Sequence, residues 1–159
     1  MNATTQSYAG FWKRFLAHLI DSIVLGIGQA ILIVPVILFV GVGMSGMESS
    51  EGFDPESEIM MALIAGPLLM VIVISVVASW LYSALMEASK LQATLGKLAL
   101  GIKVTDLTGN KISFGRASGR YFAKIVSSMI LMIGYIMAGF TQQKQALHDI
   151  IASCLVVNK

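Results

Sequence analysis

The sequence is poor in charge. Asp, Glu, Lys and Arg make up 13% of its 159 residues, about half the ~25% usual in soluble domains. That leaves too few charges for an ordinary soluble enzyme surface, and a disordered chain needs the opposite balance of high charge and few apolar residues. Cysteine is almost absent: Cys154 stands alone, so no internal disulfide and no CxxC motif is available. No Cys/His cluster points to a metal, and no cofactor is expected. The net charge of +2 is too small an excess to recruit nucleic acid. What is abundant is apolar side chain, at 56%, which points to a membrane protein.

Three long runs carry no charge. Ser22–Met47 gives 26 residues, Ile59–Met86 gives 28, and Ile125–Gln143 gives 19. A transmembrane helix needs about 20, so the first two qualify and the third is borderline. Pro35 and Pro67 fall inside the first two, where membrane helices tolerate them. The first run is far longer than the ~7–15 residues of a signal-peptide core and has Asp21 at its start, which argues against cleavage. The whole is expected to be one membrane domain over 1–159, with apolar regions at about 15–47, 59–86 and 120–143, an intervening segment 88–119 and a tail 144–159.

The segments between the runs differ in sign. Glu48, Glu51, Asp54, Glu56 and Glu58 follow the first run with no Lys or Arg among them. Residues 87–124 carry seven basic residues against Glu87 and Asp106, and Lys13-Arg14 precede the first run. By the positive-inside rule the N-terminus and residues 87–124 face the cytoplasm, and the acidic loop faces out. Trp12, Phe11, Trp80 and Tyr82 fit aromatic anchors at span ends.

The cytoplasmic segment reads as structured. Leu91, Leu95, Leu98 and Ile102 make one apolar helical stripe, expected as a short interfacial helix ended by Gly101. Ile102–Thr105 and Lys111–Phe114 flank a Gly109-Asn110 turn and read as a small β-hairpin. In the tail, Leu147, Ile150, Ile151 and Cys154 form a helical stripe, and Leu155–Val157 reads as a strand. Three full spans would strand that tail outside with nothing to pair with. A re-entrant third region, turning near Gly134, would return it to the hairpin edge. The expected fold is thus an all-α membrane protein: two long transmembrane helices, a third spanning or re-entrant segment, an interfacial helix and a small hairpin.

Candidate functional residues are few. Arg14, His18 and Asp21 share one helix face, with Asp21 about 10 Å deeper than Arg14 at ~1.5 Å per residue. Ionisable groups in a span normally meet a partner or a wet cavity. The stripe is either an interface anchor or a proton and cation relay, with Arg14 and Asp149 the expected charged neighbours of Asp21. Ser75, Ser79, Ser83 and Glu87 recur every four residues, either as a small-residue packing face or as a polar track ending on a carboxylate. Gly115 and Gly119 allow close approach, and Arg116 and Arg120 beside them are expected to meet lipid phosphates. Asp149 is expected to pair with Arg116, Arg120 or the first-helix stripe. Gly41-x-Gly43-x-x-Gly46 mimics a dinucleotide fingerprint but lacks a βαβ unit. His148-Asp149 lacks a placed nucleophile, so no enzyme is expected.

Three segments together resemble the RDD family of small bacterial membrane proteins. AGFWKRFLAHLID carries Arg14 and Asp21; ATLGKLALGIKVTD carries Thr94, Gly96, Lys97, Gly101 and Val104; QALHDIIASCLVV carries Leu147, His148, Asp149 and Ala152. Leu95 stands where the family often has proline, and Ser153-Cys154 replace Gly-Thr. The resemblance implies a polytopic protein of the bacterial inner membrane with a transport role, and sodium–proton antiport is suggested for some members. Two classes follow: a cation/proton transporter, or a non-transporting scaffold or accessory subunit of another complex. Two or three spans per chain cannot wall off an aqueous path, so transport implies a homo-oligomer. The expected partners are the lipid bilayer, monovalent cations and protons, and a second copy.

Overall fold

The computed structural model describes residues 7–47, 58–129 and 133–159. The expected outward-facing acidic loop and the turn before Gly134 fall outside them. Two long helices dominate: α1, Phe11–Met47, and α2, Glu58–Ala88. Each runs through its proline without a break, and each holds a stretch long and apolar enough to cross a bilayer, Phe11–Val42 and Ala62–Ala88. Residues 41–46 are helical within α1, so the glycine-rich match is no phosphate loop.

After α2 come short elements: α3 (Leu95–Ala99), β1 (Ile102–Asp106), α4 (Phe114–Met129), α5 (Ile133–Phe140), α6 (Leu147–Ile151) and β2 (Cys154–Asn158). The chain divides into two compact units. One holds Met1–Ile23 with Trp80–Lys159, and the other holds Val24–Ser79.

The expected interfacial helix is shorter than its stripe. Gln92 adopts a left-handed φ of 54°, and its carbonyl accepts the Val104 amide at 2.7 Å. The helix therefore starts only at Leu95. Leu91 and Leu95 are exposed, while Ile102 has passed into the sheet and is fully buried.

A small antiparallel sheet forms, but its second strand is the tail. β1 pairs with β2, Val104 opposite Val156 and Thr105 opposite Leu155. The hairpin arm expected at Lys111–Phe114 is corrected: Phe114 opens α4 instead. Two local effects decide this. The Asp106 carboxylate accepts the amides of Thr108 and Asn110 at 2.9 and 2.8 Å, curling the chain tightly after β1. Ser113 then caps α4, its hydroxyl accepting the Arg116 amide at 3.3 Å, as serine does at helix starts. The N-terminal segment adds a third edge. Tyr8 bridges Val157, and the Ala9 amide donates to the Val156 carbonyl at 2.9 Å.

These pairings bear on topology. Backbone hydrogen bonds cannot bridge a bilayer, so Tyr8, β1 and β2 lie on one side. α4 and α5, bent by 97° with respect to each other, therefore leave and return on that side. The core under the sheet is built from small residues, Ala9, Ala17, Ala84 and Ala117, against Ile102, Val104, Ile112 and Val156.

Candidate functional site

Arg14, Asp21, Glu87 and Asp149, singled out in the sequence, all find partners within the unit that carries the sheet, in two groups. In the first, Asp149 stands at the start of α6. Its own helix uses it as a cap: the Ala146 amide donates to its carboxylate at 3.1 Å. The same carboxylate takes Arg120 Nε at 2.7 Å and an ion pair with Arg14. Arg120, on α4, reaches on through Nη1 to both oxygens of Glu87, at 2.7 Å each. Glu87, in the last turn of α2, also pairs with Lys97 of α3. The order is Arg14–Asp149–Arg120–Glu87–Lys97, cations and carboxylates alternating, with both carboxylates fully buried. Burying such charges costs several kcal/mol each unless geometry and hydrogen bonds repay it. Here each carboxylate has at least two charged partners.

Asp21 departs from expectation. Its charged neighbour is neither Arg14, which turns to Asp149 and the Ala9 carbonyl, nor Asp149 itself. Asp21 accepts neutral donors instead: the Tyr82 hydroxyl at 2.9 Å, the Thr94 hydroxyl at 2.5 Å and the Gly96 amide at 2.8 Å. The physical reason lies in α3. A helix start leaves amides unpaired, and Thr94 provides no cap of its own. Asp21 supplies it from α1, and the Tyr82 hydroxyl accepts the next amide, Leu95, at 3.0 Å. The anchor requires glycine at position 96, because a Cβ there would stand 2.1 Å from the Ala17 carbonyl oxygen. Thr94, Gly96 and Lys97 thus each have a separate task in fastening α3.

His18 is exposed on α1, one turn from Asp21 but bonded to none of these groups among the described residues. Ser83 is half-buried on α2. In the other unit, Ser79 donates to the Ser75 carbonyl at 2.8 Å, and Gln29 of α1 donates to the Ser79 hydroxyl at 3.1 Å. Gln29 was not singled out in the sequence. A lone amide in an apolar run was the available signal, since such a group seeks a polar partner on a neighbouring helix. Gly119 has open space where a Cβ would stand, so no close packing among the described residues uses it.

Electrostatics sharpens the roles. Burial draws the Lys97 ammonium down to about 7, against the opposing pull of Glu87. For Asp149 burial alone would raise the carboxyl, but Arg120 and Arg14 outweigh it and hold it well below the usual range. Burial takes His148 down to about 3 despite Asp149, so the ring is neutral. Ser127, His148 and Asp149 superficially resemble a catalytic triad, with contacts of 3.5 Å on each side of the ring. The arrangement does not work as one: Ser127 is fully buried and donates to the Ala123 carbonyl at 3.0 Å, and Asp149 is committed to two arginines. Burial likewise pushes the Cys154 thiol up to about 11, away from thiolate chemistry.

Comparison with known proteins covers nearly the whole chain. The RDD family model matches residues 8–153. The uncharacterized protein YxaI of Bacillus subtilis (strain 168) is 41% identical over 153 residues, 95% of this chain and 97% of that protein. The uncharacterized membrane protein YteJ of the same organism is 31% identical over 162 residues, 98% of this chain and 84% of that protein. No solved structure matches. With Arg14 and Asp149 joined, Asp21 seated on Thr94 and Gly96, and a family match that spans all of these positions, the chain is a membrane protein belonging to the RDD family.

Proposed function

We propose that the chain is a cation/proton exchanger of the bacterial cytoplasmic membrane, working as a homo-oligomer, with its N-terminus and the sheet on the cytoplasmic side. The observation that carries this is the buried Lys97–Glu87 pair at the inner end of α2. A lysine drawn down to about 7 can release its proton near neutral pH. A monovalent cation arriving at Glu87 would replace the ammonium charge and favour that release; reprotonation of Lys97 would expel the cation. Asp21, the first candidate from the sequence, serves better as the anchor of α3, and Asp149 as the partner of Arg14 and Arg120. Orientation follows from the basic residues around the sheet and the acidic segment between the long helices.

Cation-driven proton flux in proteoliposomes tests this, with sodium, lithium and potassium each supplied. Lys97→Arg keeps the charge but cannot lose a proton near neutrality, so flux should vanish while the protein stays folded. Wild-type vesicles without flux for any of the three cations would overturn the exchanger. A second reading then leads, a non-transporting membrane scaffold. It draws on a specific observation: Asp21, Glu87 and Asp149 already have all their partners from within the chain.

A further inference from the structure

The charges of the cluster do not cancel. Arg14, Lys97, Arg120 and Lys124 face Asp21, Glu87 and Asp149. Three of the cations are paired, and the fourth is not. Lys124 lies within electrostatic reach of Glu87, Arg120, Asp149 and Asp21, yet its ammonium has no hydrogen bond or ion pair among the described residues. Its recorded contact is the Tyr121 ring, 6.0 Å from the centroid. Lys124 sits on the flank of α4, between the buried face of Ala117, Arg120 and Ala123 and the exposed Ile125. Arg14 of α1 and Arg120 of α4 share Asp149, and one turn further along the same two helices stand His18 and Lys124. The surface on either side is apolar and exposed: Phe15 and Leu19 on α1, Ile125 on α4.

An ammonium that no carboxylate of the described residues contacts, set beside exposed apolar surface, is costly to leave without a counter-charge of its own. The surrounding medium must supply the counter-charge. A free anion would leave the flanking apolar surface uncovered, whereas a lipid supplies both a phosphate and acyl chains. The remaining carboxylate of the unit, Asp106, is occupied by its own turn. Exposed Lys13, Lys90, Lys111 and Arg116 therefore add an attractive field for the same anionic leaflet.

We propose that Lys124 and His18 form a binding site for one anionic phospholipid, its phosphate on the Lys124 ammonium and its chains along Phe15, Leu19 and Ile125. This does not depend on the exchanger reading.

The test is native mass spectrometry and thermal stability of the purified protein with added phosphatidylglycerol. Phosphatidylcholine serves as the zwitterionic control and inorganic phosphate as the free-anion control. One phosphatidylglycerol should be retained and should raise the melting temperature, with neither control doing so. Lys124→Gln should weaken retention roughly tenfold, as loss of a charge-assisted bond does. Lys124→Arg should keep it, and Lys111→Gln should leave it unchanged. Equal stabilisation by phosphatidylcholine, or by inorganic phosphate alone, overturns the site. So does equal loss in Lys111→Gln, which would make the effect diffuse attraction. If Lys124→Gln fails to fold, Lys124→Arg and the wild-type lipid comparison still decide.

Discussion

The two units of this chain solve the same problem with opposite materials. All eleven Lys and Arg residues belong to the unit that carries the sheet. The described helical residues of the other unit carry one charge, Glu58 at the start of α2, and present exposed apolar surface, with Gln29 reaching across to Ser75 and Ser79. The difference shows where this family match concentrates its chemistry. In the apolar unit one residue can be exchanged for another of similar size at little cost. In the charged unit the buried carboxylates and arginines depend on one another, so errors propagate.

The largest effect should come from Arg120. Replacing it with Met removes the link between Glu87 and Asp149 and leaves each with an uncompensated share of charge. About 3–5 kcal/mol of destabilisation is expected, seen as loss of the monodisperse peak in detergent chromatography. A stable, well-melting Arg120→Met protein would mean the charged unit is no more demanding than the apolar one.

Gly96→Ala should come next. The new Cβ would meet the Ala17 backbone, which cannot rotate away. A cost of about 1–3 kcal/mol should appear in the melting temperature, and α3 amides should exchange faster with deuterium.

Acid should then separate the units. His148 is neutral in the fold, with its pKa brought down to about 3 from 6.5. The unfolded chain therefore binds the extra proton in that window. The His148 contribution to stability is full above about 6.5 and falls as pH drops towards 3, at up to about 1.4 kcal/mol per pH unit. Asp149, also held low, adds its own loss below the ordinary Asp value of 3.8. Melting curves of His148→Asn should be flatter between 6.5 and 4 than those of the wild type; identical slopes would remove His148 from the account.

The smallest effect belongs to the apolar unit. Gln29→Leu removes the link to Ser79 and restores apolar surface, for which membrane helices show changes of about 0.6 kcal/mol. A drop as large as that of Arg120→Met would show the polar link to be as important as the ion chain.

Much of the architecture was legible because it rests on long or periodic signals: two charge-free runs, the helical stripe Leu147, Ile150 and Ile151 that becomes α6, and the tail strand that needed an edge. Pairing was less so. Spacing placed Arg14 and Asp21 on one face, but a helix face does not say which neighbour is nearer. Arg14 points back towards Ala9 and meets α6, while Asp21 meets two hydroxyls and the Gly96 amide, and a backbone amide carries no label in a sequence. Arg120 was legible in half. It stood among the expected partners of Asp149, but its reach to Glu87 was not expected. The signal was there: Ala117, Arg120, Ala123 and Ser127 fall on one buried helical face, and an arginine flanked by small residues has room to turn inward. The hairpin failed because β-prone composition at Lys111–Phe114 lost to the serine cap that starts α4.

The bridge between Tyr8 and Val157 sets a timetable for synthesis. Its two ends are 149 residues apart, and ribosomes add ~5–20 residues per second, so Tyr8 waits roughly 7–30 s for its partner. Arg14 waits nearly as long for Asp149. Through that interval α1 and α2 must already be threading into the bilayer, while Arg14, Arg120 and Glu87 still lack part of their final company. Completion of the sheet is then a late event that closes the charged unit in one step, and a ribosome that stalls before β2 would leave the helices inserted and their sheet-side ends open to quality-control proteases.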